Sequence, residues 1–410
     1  MSSAGRGGGL ARGGSSSGGE ASRGEGLRPI NRAGYREDRL RREAGRDDVS
    51  RNWRNWGRVV TSEHAKAHTS TGERSEFSSL IEQYRQELHL YCYRLLGSLH
   101  DAEDLVQETM LRAWQHGDTF RGQSSLRTWL YRIATNVCLD ALKKHQPRTL
   151  PVGLTPEADP LLSIAQAWAE STWIEPFPSS WLAEAMEDPA ARYSRHESVS
   201  LAFLTVLQLL PSRQRAILLL SDVLDWHDSE IADLLSISVS AVKSALHRAR
   251  VTLAKHYHVD EQRKEEGLNA DAETQVLLER YLSAWNSRDV AGLVALMRED
   301  ATFTMPPSPS WYQGRDAIRT QISTYGLVPE MRWFFLPTGA NGGPAFAVYH
   351  RAAGASGPAQ AFGIQVLTLE FSVSGVLIAD VTTFLDPSLF PFFGFPLEMS
   401  LSQTFVGEGD

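Results

Sequence analysis

The sequence predicts a multidomain chain: two all-α helical domains, the second a helix-turn-helix, followed by an α+β domain with a curved antiparallel sheet. Three observations carry that expectation. Residues 226–253, WHDSEIADLLSISVSAVKSALHRARVTL, put Val242, Ala245, Leu246, Ala249 and Leu253 on one stripe at helical spacing, behind a shorter helix and a turn. Two upstream segments, 101–114 and 119–144, show the same period. From Leu268 onward the pattern becomes one long helix and then short apolar runs punctuated by Gly and Pro.

The chain has 410 residues and is 42% hydrophobic, enough for several domains with cores of their own. No run approaches the ~20 apolar residues of a membrane helix. The N-terminus lacks the apolar segment of a signal peptide, so a cytoplasmic location without membrane attachment is expected. Residues 1–72, rich in Gly, Ser and Arg, read as a disordered extension. The expected modules are 73–146 (helical), 147–197 (an acidic, aromatic linker), 198–260 (helical, with the helix-turn-helix) and 268–390 (α+β). Cys92 and Cys138 have no metal-ligand spacing and fall on apolar helix faces, so buried reduced thiols are expected, with no metal and no cofactor.

The net charge of −8 looks unsuited to nucleic acid, but its distribution is uneven. Residues 120–146 carry +4, residues 238–258 carry +4, and residues 147–200 carry −5. Affinity for DNA follows such local patches.

In the first helical module, 101–114 (DAEDLVQETMLRAW) buries Ala102, Leu105, Val106, Thr109 and Ala113. Asp104, Gln107, Glu108 and Leu111 lie roughly opposite. Asp104 and Glu108, four apart, repel slightly and gain nothing within the helix, so this face suits a protein contact. The next segment, 119–144, buries Leu130, Ile133, Ala134, Val137 and Ala141. There Phe120, Trp129 and Tyr131 interleave with Arg121, Arg127 and Arg132, a composition suited to unstacked single-stranded DNA. Trp129 also has a core role open to it. In the second module, Ser240, Lys243, Ser244 and His247 point away from the apolar stripe, flanked by Arg248 and Arg250. Such a helix fits a major groove, with hydroxyls, Lys and His at base edges and Arg on phosphates. Ser236 stands where the turn favours Gly, at about 1 kcal/mol of strain.

Taken together, Asp101-Ala-Glu-Asp-Leu-Val-Gln-Glu108, Phe120-Arg-Gly122, Thr128-Trp-Leu130, Asn136, Glu230-Ile-Ala232, Ala241-Val-Lys-Ser244 and His247-Arg-Ala-Arg250 resemble the extracytoplasmic-function sigma factors of bacterial RNA polymerase. The resemblance covers about 76–145 (domain two) and 198–258 (domain four), in the right order. It implies that Asp104, Gln107, Glu108 and Leu111 bind the clamp helices of core polymerase, whose flap is a second contact. It implies further that Phe120, Arg121, Arg127, Trp129, Arg132 and Asn136 melt and read the −10 element, and that Ser240, Lys243, Ser244, His247, Arg248 and Arg250 read the −35 element. The linker of about 50 residues exceeds that of the simplest members, and its Trp173-Ile-Glu-Pro-Phe-Pro178 is similar to a Trp/Pro-rich motif of members with an appended domain. Trp173, Phe177 and Trp181 suit it to dock on the C-terminal domain.

In that domain a helix is expected at 271–298, then Ala301–Met305, a turn-helix at 311–318, and strands near 331–336, 344–351, 362–373 and 376–385. This order resembles the SnoaL-like family, a cone whose sheet curls round an apolar pocket. Trp285, Met305, Trp311 and His350 are the candidate pocket residues, with Asp380 a further polar candidate, and a small molecule is an open ligand class. The expectation is a non-catalytic promoter-specificity subunit that binds core polymerase and promoter DNA and is regulated in cis by its C-terminal domain. Two alternatives stay open. One is an activator or repressor sharing only the helix-turn-helix; the other is a bifunctional protein whose C-terminal domain binds or converts a small molecule.

Overall fold

The computed structural model describes residues 71–117, 120, 124–144, 146–165, 173–184, 199–257, 269–372 and 375–400. The expected disorder of 1–72 lies outside these residues, except that Thr71 and Gly72 open the first helix. That helix, α1 (Thr71–Glu82), joins α2 (Arg85–Leu96), α3 (Leu99–Gln115) and α4 (Leu126–Leu142) in a first bundle. The starts follow local chemistry. Ser98 accepts from the Asp101 amide at 3.1 Å and Ser125 from the Thr128 amide at 3.0 Å, each satisfying a donor that has no partner inside its helix. Gly97 ends α2 at φ 71, which glycine adopts without strain. Helix α3 buries Ala102, Val106, Thr109 and Ala113, and α4 buries Leu130, Ala134 and Val137. Leu105, Ile133 and Ala141 are half-buried at the edges of these stripes. Cys92 and Cys138 meet between α2 and α4 as free buried thiols, Sγ to Sγ 3.4 Å.

A short helix α5 (Ser179–Glu184) precedes the second bundle. This comprises α6 (Leu201–Gln208), α7 (Ser212–Leu218, continued by a π turn over Leu219–Val223), α8 (Asp228–Leu235) and α9 (Val239–His256). Ser236 sits between α8 and α9 at φ 54, ψ 49, the left-handed conformation its position demands. Val242, Ala245, Leu246 and Ala249 are buried and Leu253 is half-buried, as the periodicity requires.

In the third region the long helix expected at 271–298 is two helices, α10 (Asn269–Ser287) and α11 (Val290–Ala295). Arg288 turns left-handed at φ 56, and the Asp289 carboxylate then caps α11 by accepting from the Gly292 amide at 2.8 Å. The expected turn-helix at 311–318 is strand β2 (Trp311–Gln313) followed by α12 (Arg315–Gln321). The other strands are β1 (Met297–Thr304), β3 (Met331–Ala340), β4 (Gly343–Ala352), β5 (Ala359–Ser372), β6 (Gly375–Phe384) and β7 (Glu398–Met399). Their order is β2-β1-β6-β5-β4-β3, with β7 on β5. The sheet is mixed rather than wholly antiparallel: β1 runs parallel to β6, because the β3–β6 meander returns its last strand beside β1 in the same direction.

One face of this sheet packs Phe346, Val348, Leu367 and Val381 against Tyr281 and Trp285 of α10. The other face does not stay within its own region. Ala345, Ala347, Tyr349, Ile364 and Val366 belong to a continuous apolar core with Tyr93 of α2, Leu204 of α6 and Ile217 of α7. The stretch read as a linker enters that core as well, through Ile174 and Phe177, and Trp173 beside them is buried (4% exposed).

Candidate nucleic-acid interface

Helix α9 presents Ser240, Lys243, Ser244, His247, Arg248 and Arg250 to solvent, opposite its buried stripe. Ser240 shares its hydroxyl with Ser238 at 2.9 Å. Arg250 is also engaged internally, through a bidentate pair with Asp222 at 2.7 and 3.0 Å, which raises its pKa through the hydrogen bond from its guanidinium. Lys243, Ser244, His247 and Arg248 thus form a basic, small-residue face about two turns long.

Helix α4 distributes its candidates differently. Arg132 and Asn136 are exposed, although Arg132 Nη2 reaches the Asp233 carbonyl of α8 at 3.4 Å. Trp129 is half-buried between Phe77 and Phe120, so its core role is met. Arg127 bonds the Glu87 carboxylate through Nε at 2.8 Å and through Nη2, and lies over the rings of Tyr131 and Trp226. Its guanidinium is thus engaged within the chain, paired along one edge with Glu87. Arg121 lies outside the described residues.

On α3, Asp104 is exposed and Gln107, Glu108 and Leu111 are half-exposed on one side of the helix. The expectation that Asp104 and Glu108 gain nothing within the helix needs correction at Glu108. Gln107 Nε2 donates to Glu103 at 3.1 Å, and Arg112 Nε donates to Glu108 at 2.7 Å. The i, i+4 Arg112–Glu108 pair is solvent-exposed and worth about 0.3–0.5 kcal/mol, too little to preclude exchange for a partner.

A junction that the sequence reading passed over joins these surfaces. Glu175 Oε2 accepts from Ser98 Oγ (3.0 Å), Leu99 N (2.8 Å) and His100 N (3.1 Å), and sits 2.9 Å from His100 Nδ1. Burial opposes ionisation of this carboxyl, yet the His100 contacts and the nearby Arg148 pull it down to about 2. His100 Nε2 in turn lies 3.1 Å from Ser388 Oγ, beyond β6. Asn341 and Gly342 form the two-residue turn between β3 and β4, both at positive φ. The Asn341 side chain donates to Tyr93 Oη and to the Val199 carbonyl, each at 2.7 Å, and accepts from the Phe177 amide at 3.0 Å. One amide therefore touches the first bundle, the linker and the entrance to the second bundle. The bundles also touch directly: buried Arg215 of α7 donates to the Leu95 carbonyl at the end of α2 and to Gln208 Oε1, the latter at 2.6 Å. Asn-Gly between two apolar runs is a legible turn signal; that its side chain bridges distant segments is not.

Trp173, Phe177 and Trp181 do lie against the C-terminal region. Trp173 Nε1 donates to the Pro307 carbonyl at 3.0 Å, Phe177 meets Asn341, and Trp181 packs 6.0 Å from the Phe392 ring. The four candidate pocket residues have different neighbours. Trp285 packs on Tyr281 and Phe335, Met305 is buried, Trp311 donates to the Thr155 carbonyl of the linker at 2.8 Å, and His350 stacks on Trp333. His350 pairs with Gln360 and Asp380 with Thr368 on β5, eight positions apart, or about 26 Å along the strand. They do not form an acid/base pair. Asp380 is raised by burial and accepts from Thr302 at 2.6 Å.

Comparison with known proteins matches three family models: sigma-70 region 2 at residues 80–148, sigma-70 region 4 at 200–253 and a SnoaL-like domain at 278–374. ECF RNA polymerase sigma factor SigG of Mycobacterium tuberculosis is 43% identical over 343 residues, spanning 82% of this chain and 88% of that protein. SigW of Bacillus subtilis is 28% identical over 45% of this chain and 90% of its own length. The crystal structure of Mycobacterium tuberculosis SigJ is similar at 22% identity and a TM-score of 0.47, covering 78% of this chain and 99% of that one.

Proposed function

The chain belongs to the extracytoplasmic-function sigma factors of RNA polymerase, and from that premise we propose that it is a cytoplasmic promoter-specificity subunit held closed in cis by its C-terminal domain. In this reading Asp104, Gln107, Glu108 and Leu111 of α3 meet core polymerase. Helix α4 and the segment before it read the −10 element, and the outward face of α9 reads the −35 element.

The observation that carries the regulatory part is the direct contact of the two bundles through Arg215 and Leu95. Elements some 25 base pairs apart are separated by about 85 Å at 3.4 Å per base pair. Bundles in contact do not span that distance, so promoter binding requires them to part. Asn341 ties both bundles and the linker to the sheet, which makes it the restraint. Membership of a transcription-factor family speaks against an enzymatic role for the whole chain, and the separation of His350 from Asp380 removes one catalytic pair from the alternative. Among the described residues no helix is long and apolar enough to cross a membrane.

The test is in vitro transcription with core polymerase from a promoter library, comparing the wild type with Asn341→Gly. Glycine keeps the positive φ and removes only the bridging amide. Activity should rise several-fold. Equal or lower activity would overturn the closed-state reading.

A further inference from the structure

Trp226 stands just before α8, in the second bundle, but its indole is packed on the first. Its ring centroid lies 5.3 Å from that of Tyr131 on α4. The Arg127 guanidinium covers both rings, at 5.1 Å from Tyr131 and 5.7 Å from Trp226. Trp226 is 7% exposed, and its Nε1 is buried without a hydrogen-bond partner. A buried indole N–H left unpaired is costly, so this fit is not optimised for tryptophan. The receiving surface is an angled notch: the Tyr131 and Trp226 rings meet at 53°, with the guanidinium beside both. Glu87 holds the Arg127 guanidinium and accepts from Tyr131 Oη at 2.9 Å, which fixes both planes.

The chemistry of that cradle selects its other occupant. Glu87 occupies the Nε–Nη2 edge of the Arg127 guanidinium, the edge that would grip a phosphate, and leaves its face to a ring. A flat ring packed at an angle against Tyr131, with the guanidinium over its face, gains aromatic contact and cation–π energy. An indole has the outline of a purine: fused five- and six-membered rings with a polar edge. Arg132 and Asn136 are exposed on the same helix, about 100° and 140° round its axis from Tyr131.

We propose that Arg127, Tyr131 and Glu87 form a binding site for an unstacked nucleobase, and that Trp226 plugs it in cis. The inference rests on the reading of α4 as the helix that meets single-stranded promoter DNA. Parting of the bundles would withdraw the plug and open the site in one movement.

The experiment measures binding of fluorescent single-stranded (dA)12 and (dT)12 to the full-length protein. Trp226→Leu keeps apolar bulk in the second bundle and removes the flat ring. It should raise affinity for (dA)12 about tenfold, and for (dT)12 less, within the range of one base–aromatic stack. Trp226→Phe should give an intermediate gain, which keeps the test open should the leucine variant fold poorly. Arg127→Lys added to Trp226→Leu retains the charge but not the plane, and should cancel the gain. Unchanged (dA)12 affinity in both Trp226 variants, or a gain that survives Arg127→Lys, would overturn the proposal. Arg132→Ala and Asn136→Ala in the Trp226→Leu background separate the two readings. If they weaken binding while Arg127→Lys does not, the cradle is refuted and α4 stands. If Arg127→Lys weakens binding while they do not, the cradle stands and the outward face of α4 loses its role.

Discussion

Replacing Glu175 by Gln tests the junction at its most charged point. The carboxyl falls from 4.5 to about 2 on folding, and its side chain is only 20% exposed, so solvent screens it little. Burial works against the charged form; the His100 and Arg148 contacts more than offset it. That shift corresponds to roughly 3 kcal/mol of stability at neutral pH, since each unit is worth about 1.4 kcal/mol. Glutamine still accepts one or two of the amide bonds, so the expected loss at pH 7 is about 2–3 kcal/mol. The sign of the pH dependence follows from a folded value below the unfolded one. The stabilisation is complete above the unfolded value and is lost as pH falls toward the folded one, so the gap between wild type and Glu175→Gln should shrink to less than half by about pH 3. Urea titrations of both proteins across this range measure it. A gap below about 0.5 kcal/mol at pH 7, or one that does not narrow on acidification, would refute the reasoning.

Three further expectations concern other sites. Arg215→Ala should destabilise the chain by about 3 kcal/mol, because it removes the donors to the Leu95, Gln208 and Leu210 carbonyls in a buried setting; thermal unfolding reads this, and a loss under about 1 kcal/mol would contradict it. Asp104→Lys with Glu108→Lys should abolish binding to core polymerase with helicity unchanged by circular dichroism, and retained affinity would remove α3 from the polymerase surface. Lys243→Ala should relax base preference in the −35 element by about 1–3 kcal/mol, whereas Arg248→Ala should weaken all promoters alike and flatten the salt dependence; an intact base preference in Lys243→Ala would mean the docking register is wrong.

Local periodicity and the left-handed turn of the helix-turn-helix were legible in advance. Ser236 takes the left-handed turn its place in the motif requires, and the buried stripe of α9 is the one its spacing marks. The break between α10 and α11 was not, because Arg288 carries no signal for positive φ and apolar residues continue on both sides of it. The α9 face is local to one helix and so could be read from spacing. Arg127 could not: its partner Glu87 is 40 positions away and Trp226 belongs to another bundle. The same holds for Asn341 and Tyr93, 248 positions apart. Interactions of that range depend on how finished elements dock, and a pattern of neighbours along the chain contains no record of it.

The shared core has a consequence for heredity and for engineering. A domain that touches its neighbours only at a polar rim can be exchanged between relatives like a cartridge. Here the outer face of the sheet, Ile174 and Phe177 of the linker and both bundles close one apolar interior. A C-terminal domain transplanted from a homologue would arrive with its half of that interior cut for other neighbours. Tyr93, Glu175, Phe177, Val199 and Asn341 would have to travel together, and unfolding of one region would carry the rest with it in a single transition. Substitutions across these five positions are therefore tied to one another, so a chimera joined at the module boundaries read from sequence would divide a set of residues that works only when whole.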